Sequence, residues 1–177
     1  MNQKLKILLV VFALVIGAIP AMADDGNGGL NPMTSAFRST DYPLPRFVSL
    51  GSDEIYVRSG PGKRYPVQWV FKKEDLPVEI ILEYDVWRKI KDFDGQVGWV
   101  HHSLLSGKRN ALVKEEKVST LYRKPDTSSQ IMAYLEPMVL LSVEECEGGF
   151  CKVNASGYKG WVEQKTLWGV YETENFD

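Results

Sequence analysis

The sequence predicts an all-β chain built from two copies of one small β unit, and three observations predict it. The first is a repeated pair of anchors. Ile55-Tyr56-Val57-Arg58-Ser59-Gly60-Pro61-Gly62 precedes Gly98-Trp99-Val100, and Thr120-Leu121-Tyr122-Arg123-Lys124-Pro125 precedes Gly160-Trp161-Val162. The second is what lies between them: Val86-Trp87-Arg88-Lys89-Ile90 is echoed by Gly149-Phe150-Cys151-Lys152-Val153. The offsets fall from 64 through 63 to 62, so loops shorten while the elements hold register. The third is punctuation: 15 glycines and 9 prolines are spread among plentiful aromatics, which suits short strands joined by tight turns.

The N-terminus reads as an export signal. Lys4 and Lys6 supply positive charge, residues 7–19 are apolar, and Ala21-Met22-Ala23 is a small-x-small cleavage site. A membrane helix needs about 20 apolar residues, more than this stretch offers. No cysteine follows it to carry a lipid. The expectation is a signal peptide over residues 1–23, cleaved after Ala23, a periplasmic or secreted product, and no stable membrane insertion after cleavage. Loss of Lys4 and Lys6 leaves 19 basic against 23 acidic side chains, a net charge near −4. That argues against nucleic acid as a partner, which calls for a basic patch.

Residues 24–45 are rich in Gly, Asn, Ser and Pro and read as a flexible leader. The first unit is expected over residues 46–113. Residues 46–50 and 54–58 form strands, and residues 59–63 form a loop, because Pro61 lacks a ladder donor and the glycines permit positive φ. Residues 67–71 and 78–84 are β-rich, residues 87–92 and 96–101 form a hairpin across Asp94-Gly95, and residues 103–106 form a short helical turn. Residues 110–113 are expected to close this unit. Residues 114–117 form a charged hinge, residues 114–169 the second unit, and residues 170–177 an acidic tail that frays.

The two copies together decide a register that neither decides alone. A two-residue turn at Ser156-Gly157 sets Lys152 opposite Trp161 and Val153 opposite Gly160. The first copy is one residue longer, and a three-residue loop at Phe93-Asp94-Gly95 sets Lys89 opposite Trp99 and Ile90 opposite Gly98. Trp87, Lys89 and Trp99 then share the outer face, while Arg88, Ile90 and Val100 share the other.

These residues resemble a known family. Tyr56-Val57-Arg58-Ser59-Gly60-Pro61, Tyr65-Pro66-Val67, Trp87-Arg88-Lys89-Ile90 and Gly98-Trp99-Val100-His101 are similar to the bacterial SH3-like (SH3b) domain, in particular to exported tandem SH3-like proteins of Gram-negative bacteria. The match runs over residues 47–113 and, more loosely, 118–168. The signature Asn-Val-Arg-Ser-Gly-Pro is departed from only at Tyr56. The second copy keeps its proline but has Tyr122-Arg123-Lys124 in place of Arg-Ser-Gly. The resemblance implies two tandem SH3-like barrels, each half-open and five-stranded, without catalytic machinery. It also implies binding of cell-wall peptides or partner proteins, often as a module beside a hydrolase. Trp87 falls where the binding tryptophan of SH3 domains lies, whereas His101 and Leu104 stand near the places of their proline-reading Pro and Tyr.

The candidate ligand-binding residues are Tyr56, Arg58, Trp69, Trp87 and Trp99, as an aromatic shelf. The competing reading buries the tryptophans in the core or between the barrels. Arg58 also suits a structural role, since its five donors in a rigid fork can fix the loop through carbonyls or through Glu79 or Asp85. Cys146 and Cys151, the only cysteines, bracket a Gly148-Gly149 turn. They are expected to form a disulfide at a Cα separation of about 4.5 Å. No metal site is expected, because His101 and His102 lie in the other copy and adjacent strand residues point to opposite faces. Asp92 and Asp94 are expected on a solvated turn. No catalytic residue and no cofactor is implied. The expected function is non-catalytic periplasmic binding of a cell-wall (peptidoglycan) peptide. The alternatives are an adaptor that recruits an envelope enzyme or other protein partner, a cysteine-peptidase-type enzyme, and a purely architectural protein.

Overall fold

The same run of seven strands occurs twice in the computed structural model, which describes residues 39–114 and 118–177. The first run is β1 (Arg46–Leu50), β2 (Ile55–Arg58), β3 (Val67–Phe71), β4 (Pro77–Tyr84), β5 (Trp87–Lys91), β6 (Val97–His101) and β7 (Leu105–Ser106). The second is β8 (Asn110–Val113), β9 (Ser119–Tyr122), β10 (Ile131–Leu135), β11 (Leu140–Glu147), β12 (Phe150–Ala155), β13 (Tyr158–Glu163) and β14 (Leu167–Trp168). The sheet orders are β3-β2-β6-β5-β4-β1-β7 and β10-β9-β13-β12-β11-β8-β14, the same path position by position. The fold is all-β, two tandem SH3-like barrels. The extra pairings beyond the implied five strands include the two-residue β7 and β14, which follow 3₁₀ turns and pair with β1 and β8. The expected signal peptide, the leader up to residue 38 and residues 115–117 of the hinge lie outside the described residues.

Each sheet wraps its own apolar cluster. Leu50, Ile55, Val57, Val78, Ile80, Ile90 and Val100 fill the first. Leu121, Leu141, Val143, Val153, Val162 and Leu167 stand among those filling the second. These are the inward positions of alternating strands, and burial of such side chains contributes about 1.5–3 kcal/mol each.

The hairpin registers are as expected. Lys89 lies opposite Trp99 and Ile90 opposite Gly98, while Lys152 lies opposite Trp161 and Val153 opposite Gly160. Asp92 and Gln96 close the three-residue loop, with Gly95 at φ 79°. Ser156 and Gly157, at φ 51° and 99°, make the two-residue turn. The repeated Gly-Trp-Val has a steric cause. A Cβ on Gly98 would come within 2.3 Å of Val57 Cγ1, and one on Gly160 within 2.6 Å of the Tyr122 carbonyl oxygen. Only glycine lets β6 and β13 approach β2 and β9 this closely.

Four expectations are corrected. Residues 110–113 do not close the first unit: as β8 they pair with β11 and β14 in the second sheet. The reason is the repeat itself, since the offset of 64 carries Arg46 onto Asn110 and makes β8 the counterpart of β1. The end of the leader is not loose. Glu83, fully buried, accepts from the Ser39 N–H at 2.9 Å and the Thr40 hydroxyl at 2.9 Å, and pairs with Arg46 at 2.6 Å and Arg88 Nε at 3.3 Å. The tail does not fray. Val170 is buried, Glu174 pairs with Arg109 at 2.7 Å, and Phe176 bridges Cys146 in both directions, at 2.8 and 3.1 Å. Asp92 is not on a solvated face. It is buried and accepts the Gln96 N–H at 2.8 Å, and burial pushes its carboxyl up from the usual range.

Cys146 and Cys151 form the expected disulfide, with Cα atoms 4.1 Å apart across a turn whose Gly148 and Gly149 have φ 57° and 83°. A non-hydrogen-bonded cross-strand pair turns its backbone groups outward. Those of Cys146 therefore face the tail, where Phe176 takes them. With both sulfurs bonded to each other, neither cysteine is a free thiol. Reduction is expected to lower stability by about 2 kcal/mol. Urea midpoints with and without reductant measure it, and an unchanged midpoint would contradict it.

The barrels meet through Phe47. Its ring lies 5.1 Å from Trp168 and 4.7 Å from Tyr171, and the Tyr171 hydroxyl donates to Glu79 Oε1 at 2.9 Å. Burial and the Glu79 carboxylate push the Tyr171 phenol up, so it stays a donor. Asn110 donates to Ser49 Oγ at 3.0 Å beside this contact, and Ser49 donates to the Lys108 carbonyl. The interface thus uses Phe47, Trp168 and Tyr171, whereas the ring neighbour of Trp87 is His101 of its own barrel.

Candidate ligand-binding face

Alternation along β5 and β6 builds the outer face of the first barrel. Arg88, Ile90 and Val100 are buried, while Trp87, Lys89 and Trp99 are half-buried on the opposite side. Trp99 lies between two strands: Lys89 of β5 is opposite it on one side and Arg58 of β2 on the other. Trp87 is opposite His101, and their rings meet edge to face at 5.6 Å. Tyr56 precedes Arg58 by two residues on β2, so it shares that face, and it is 47% exposed.

Arg58 holds the neighbouring loop. Its Nη1 donates to the carbonyls of Tyr65 at 2.9 Å and Lys63 at 3.1 Å, not to Glu79 or Asp85. Within that loop Gly60 sits against the Tyr65 ring, where a Cβ would come within 2.4 Å. The Arg-Ser-Gly-Pro-Gly run is thereby explained as loop architecture.

Trp69 is the expected shelf residue that leaves the shelf. It lies opposite Val57, whose side chain is in the core, so its ring turns inward and packs on the core cluster, edge to face with Phe71 at 6.2 Å. Opposite residues of paired strands share a face, and Val57 had to be inside. The histidines also differ from expectation. The strand ends at His101, a 3₁₀ turn begins at His102, and the rings lie side by side at 4.9 Å. The Ser103 N–H donates to His101 Nδ1 at 3.3 Å, so His101 caps the turn.

The structure adds a second aromatic face that residue-by-residue reading leaves out. On the second barrel Tyr122, Trp161, Lys152 and Phe150 take the places of Arg58, Trp99, Lys89 and Trp87. The Tyr122 and Phe150 rings meet edge to face at 6.2 Å. The echo of Val86–Ile90 in Gly149–Val153 is the signal that carries it. A cleft of about 570 Å³ also opens beside the barrel junction, lined by Arg46, Arg88, Arg109 and His102 among others. Its guanidiniums are committed to Glu83 and Glu174, which makes it a structural junction. Among the described residues no group of His, Cys, Asp and Glu is arranged to hold a metal ion, and no helix is long and apolar enough to cross a membrane.

Two half-open barrels of identical topology, each with an aromatic outer face, define a tandem SH3-like chain. The chain belongs to the bacterial SH3 domain family, whose pattern matches residues 51–107 and again 115–169. A curated relative is the Bacillus subtilis (strain 168) protein named "Putative N-acetylmuramoyl-L-alanine amidase YrvJ", 27% identical over 127 residues. That match covers 66% of this chain and 24% of YrvJ, so the chain spans about a quarter of that relative. Among solved structures it is similar to NlpC2 of Trichomonas vaginalis, with TM-score 0.33 and 15% identity over 72% of this chain and 49% of that one. It is similar also to NlpC1 of the same organism, with TM-score 0.32 and 17% identity over 80% and 51%.

Proposed function

We propose that this is a non-catalytic binding protein of the cell envelope, which recognises peptidoglycan through the outer face of its first barrel. The observation that carries this reading is the placement of Trp87 and Trp99: half-buried on one sheet face, beside the exposed Tyr56. Aromatic rings supply large contact area at low conformational-entropy cost, and such residues dominate binding energy at interfaces. Membership in the bacterial SH3 family supports it, as does the amidase name of a relative that shares this region. The expected export signal fits a ligand outside the cytoplasm.

The test is co-sedimentation of the exported chain, from Asp24, with purified peptidoglycan sacculi. Trp87→Ala is expected to weaken retention by about thirtyfold, the effect of losing one aromatic anchor worth about 2 kcal/mol. Its melting temperature should stay near wild type, since the ring is half-exposed. Absence of retention by the folded wild type would overturn the proposal in favour of an adaptor that binds an envelope protein.

A further inference from the structure

The two barrels present the same face with different charge balance. On the first, the row Arg58–Trp99–Lys89 sets one tryptophan between two cations. Lys89 has no ion-pair partner among the described residues, and the Arg58 hydrogen bonds go to two neutral carbonyls, so neither charge is compensated by a carboxylate. On the second, Tyr122 replaces the arginine, and the row reads Tyr122–Trp161–Lys152. Lys152 is neutralised there by Glu145 at 3.0 Å and Glu144 at 3.9 Å. His101, beside Trp87, has Glu163 as its counterpart, and Glu163 is paired with Lys165 at 2.7 Å. Two uncompensated cations about one indole stand out on a chain whose formal net charge is −2.

We infer that the first face takes a peptide bearing a free carboxylate, with Lys89 as its anchor and Trp87 and Trp99 as the surfaces for its amide and aliphatic parts, and that the second face does not take it. This rests on the proposed peptidoglycan reading and names the chemical group read at that site. The aromatic rings alone would not distinguish the barrels, since the second has Phe150 and Trp161 in place. Charge does. A charge-assisted hydrogen bond between an ammonium and a carboxylate at a partly desolvated surface favours the first face. At the second, Glu145 already occupies the Lys152 ammonium and Glu144 is paired with Lys159 at 2.6 Å, so no uncompensated cation is left there to draw an anion.

The experiment compares retention on native sacculi with retention on sacculi whose carboxylates have been converted to methylamides. The exported wild-type protein is expected to bind the amidated preparation about tenfold more weakly. Lys89→Met should show that same loss on native sacculi and no further loss on amidated ones, Lys89→Arg should recover most of the binding, and Lys152→Met should bind as wild type does. Equal wild-type binding to both preparations would overturn the inference and leave the peptidoglycan reading standing. Equal losses in Lys89→Met and Lys152→Met would overturn the claim that one face alone is used. No binding to either preparation would overturn both. The amidation arm needs no variant, so it holds even if a substitution disturbs folding.

Discussion

Replacing Glu83 with alanine is expected to destabilise the protein by about 3–5 kcal/mol, the cost of breaking a buried ion pair from one side. Glu83 is fully buried at the end of β4 and is the shared acceptor for Arg46, Arg88, Thr40 and the Ser39 N–H. Removing it leaves Arg88, itself buried, without its counter-charge, and removes the acceptor of the Ser39 N–H and the Thr40 hydroxyl. Glu83→Gln keeps acceptor shape and should cost less. The same cluster sets an acid limit. Burial pushes the Glu83 carboxyl up, but hydrogen bonds from Arg46, Thr40 and Ser39 and the charge of Arg88 outweigh it, leaving it below its ordinary 4.5. A depressed carboxyl contributes stability that is complete above the ordinary value and is lost as pH falls through the lowered one. Glu174, also held low against burial by Arg109, acts in the same sense. Asp92 acts in the opposite one, since its raised value makes protonation favour the folded state. Urea midpoints at pH 7 and pH 3 should therefore differ less for Glu83→Gln than for wild type. An equal difference would contradict the assignment.

Ending the chain at Gly169 is expected to cost about 4 kcal/mol, which in a chain of this size lowers the melting temperature by about 10 °C. The missing residues are not a loose end. Val170 is buried, and Gln164, buried too, loses both acceptors of its Nε2, the Tyr171 and Glu174 carbonyls at 2.7 Å. A buried donor without a partner costs about 1–3 kcal/mol. Arg109 loses its bidentate pairing with Glu174 and the Phe176 ring 4.4 Å away, and the barrels lose Tyr171 between Phe47 and Glu79. A melting temperature within a degree of wild type would mean that the tail contributes nothing.

Much of the fold is legible in the sequence because turn chemistry and repetition constrain it from two sides. Gly95, Ser156 and Gly157 favour particular loop lengths, and agreement between copies removes the remaining slip, so the two together set Lys89 opposite Trp99. The Cys146–Cys151 pairing follows from the Gly148-Gly149 turn in the same local way. What fails to show is long-range. Nothing near Asn110 announces that it begins a second sheet, although the offset of 64 contains that information. The acidic residues of the tail look solvated because their partners are distant: Glu174 is 65 residues from Arg109, and Tyr171 is 92 from Glu79. At the site, Trp87 and Trp99 are legible from alternation, whereas Trp69 is not, because its facing depends on pairing with Val57 across a loop. The difference between the two aromatic faces hides in Glu144 and Glu145, whose sequence position alone does not pair them with Lys152.

The five tryptophans provide the most direct test of the central claim, since they sample separate places: Trp69 in the first core, Trp87 and Trp99 on the first face, Trp161 on the second and Trp168 between the barrels. The measurement is the set of indole N–H resonances of the exported protein, labelled with nitrogen-15, during titration with soluble peptidoglycan fragments that retain their peptide carboxylates. Shifts at Trp87 and Trp99, with Trp69, Trp161 and Trp168 unmoved, are the predicted result. Shifts at Trp161 as large as those at Trp99, or shifts confined to Trp168, would contradict it.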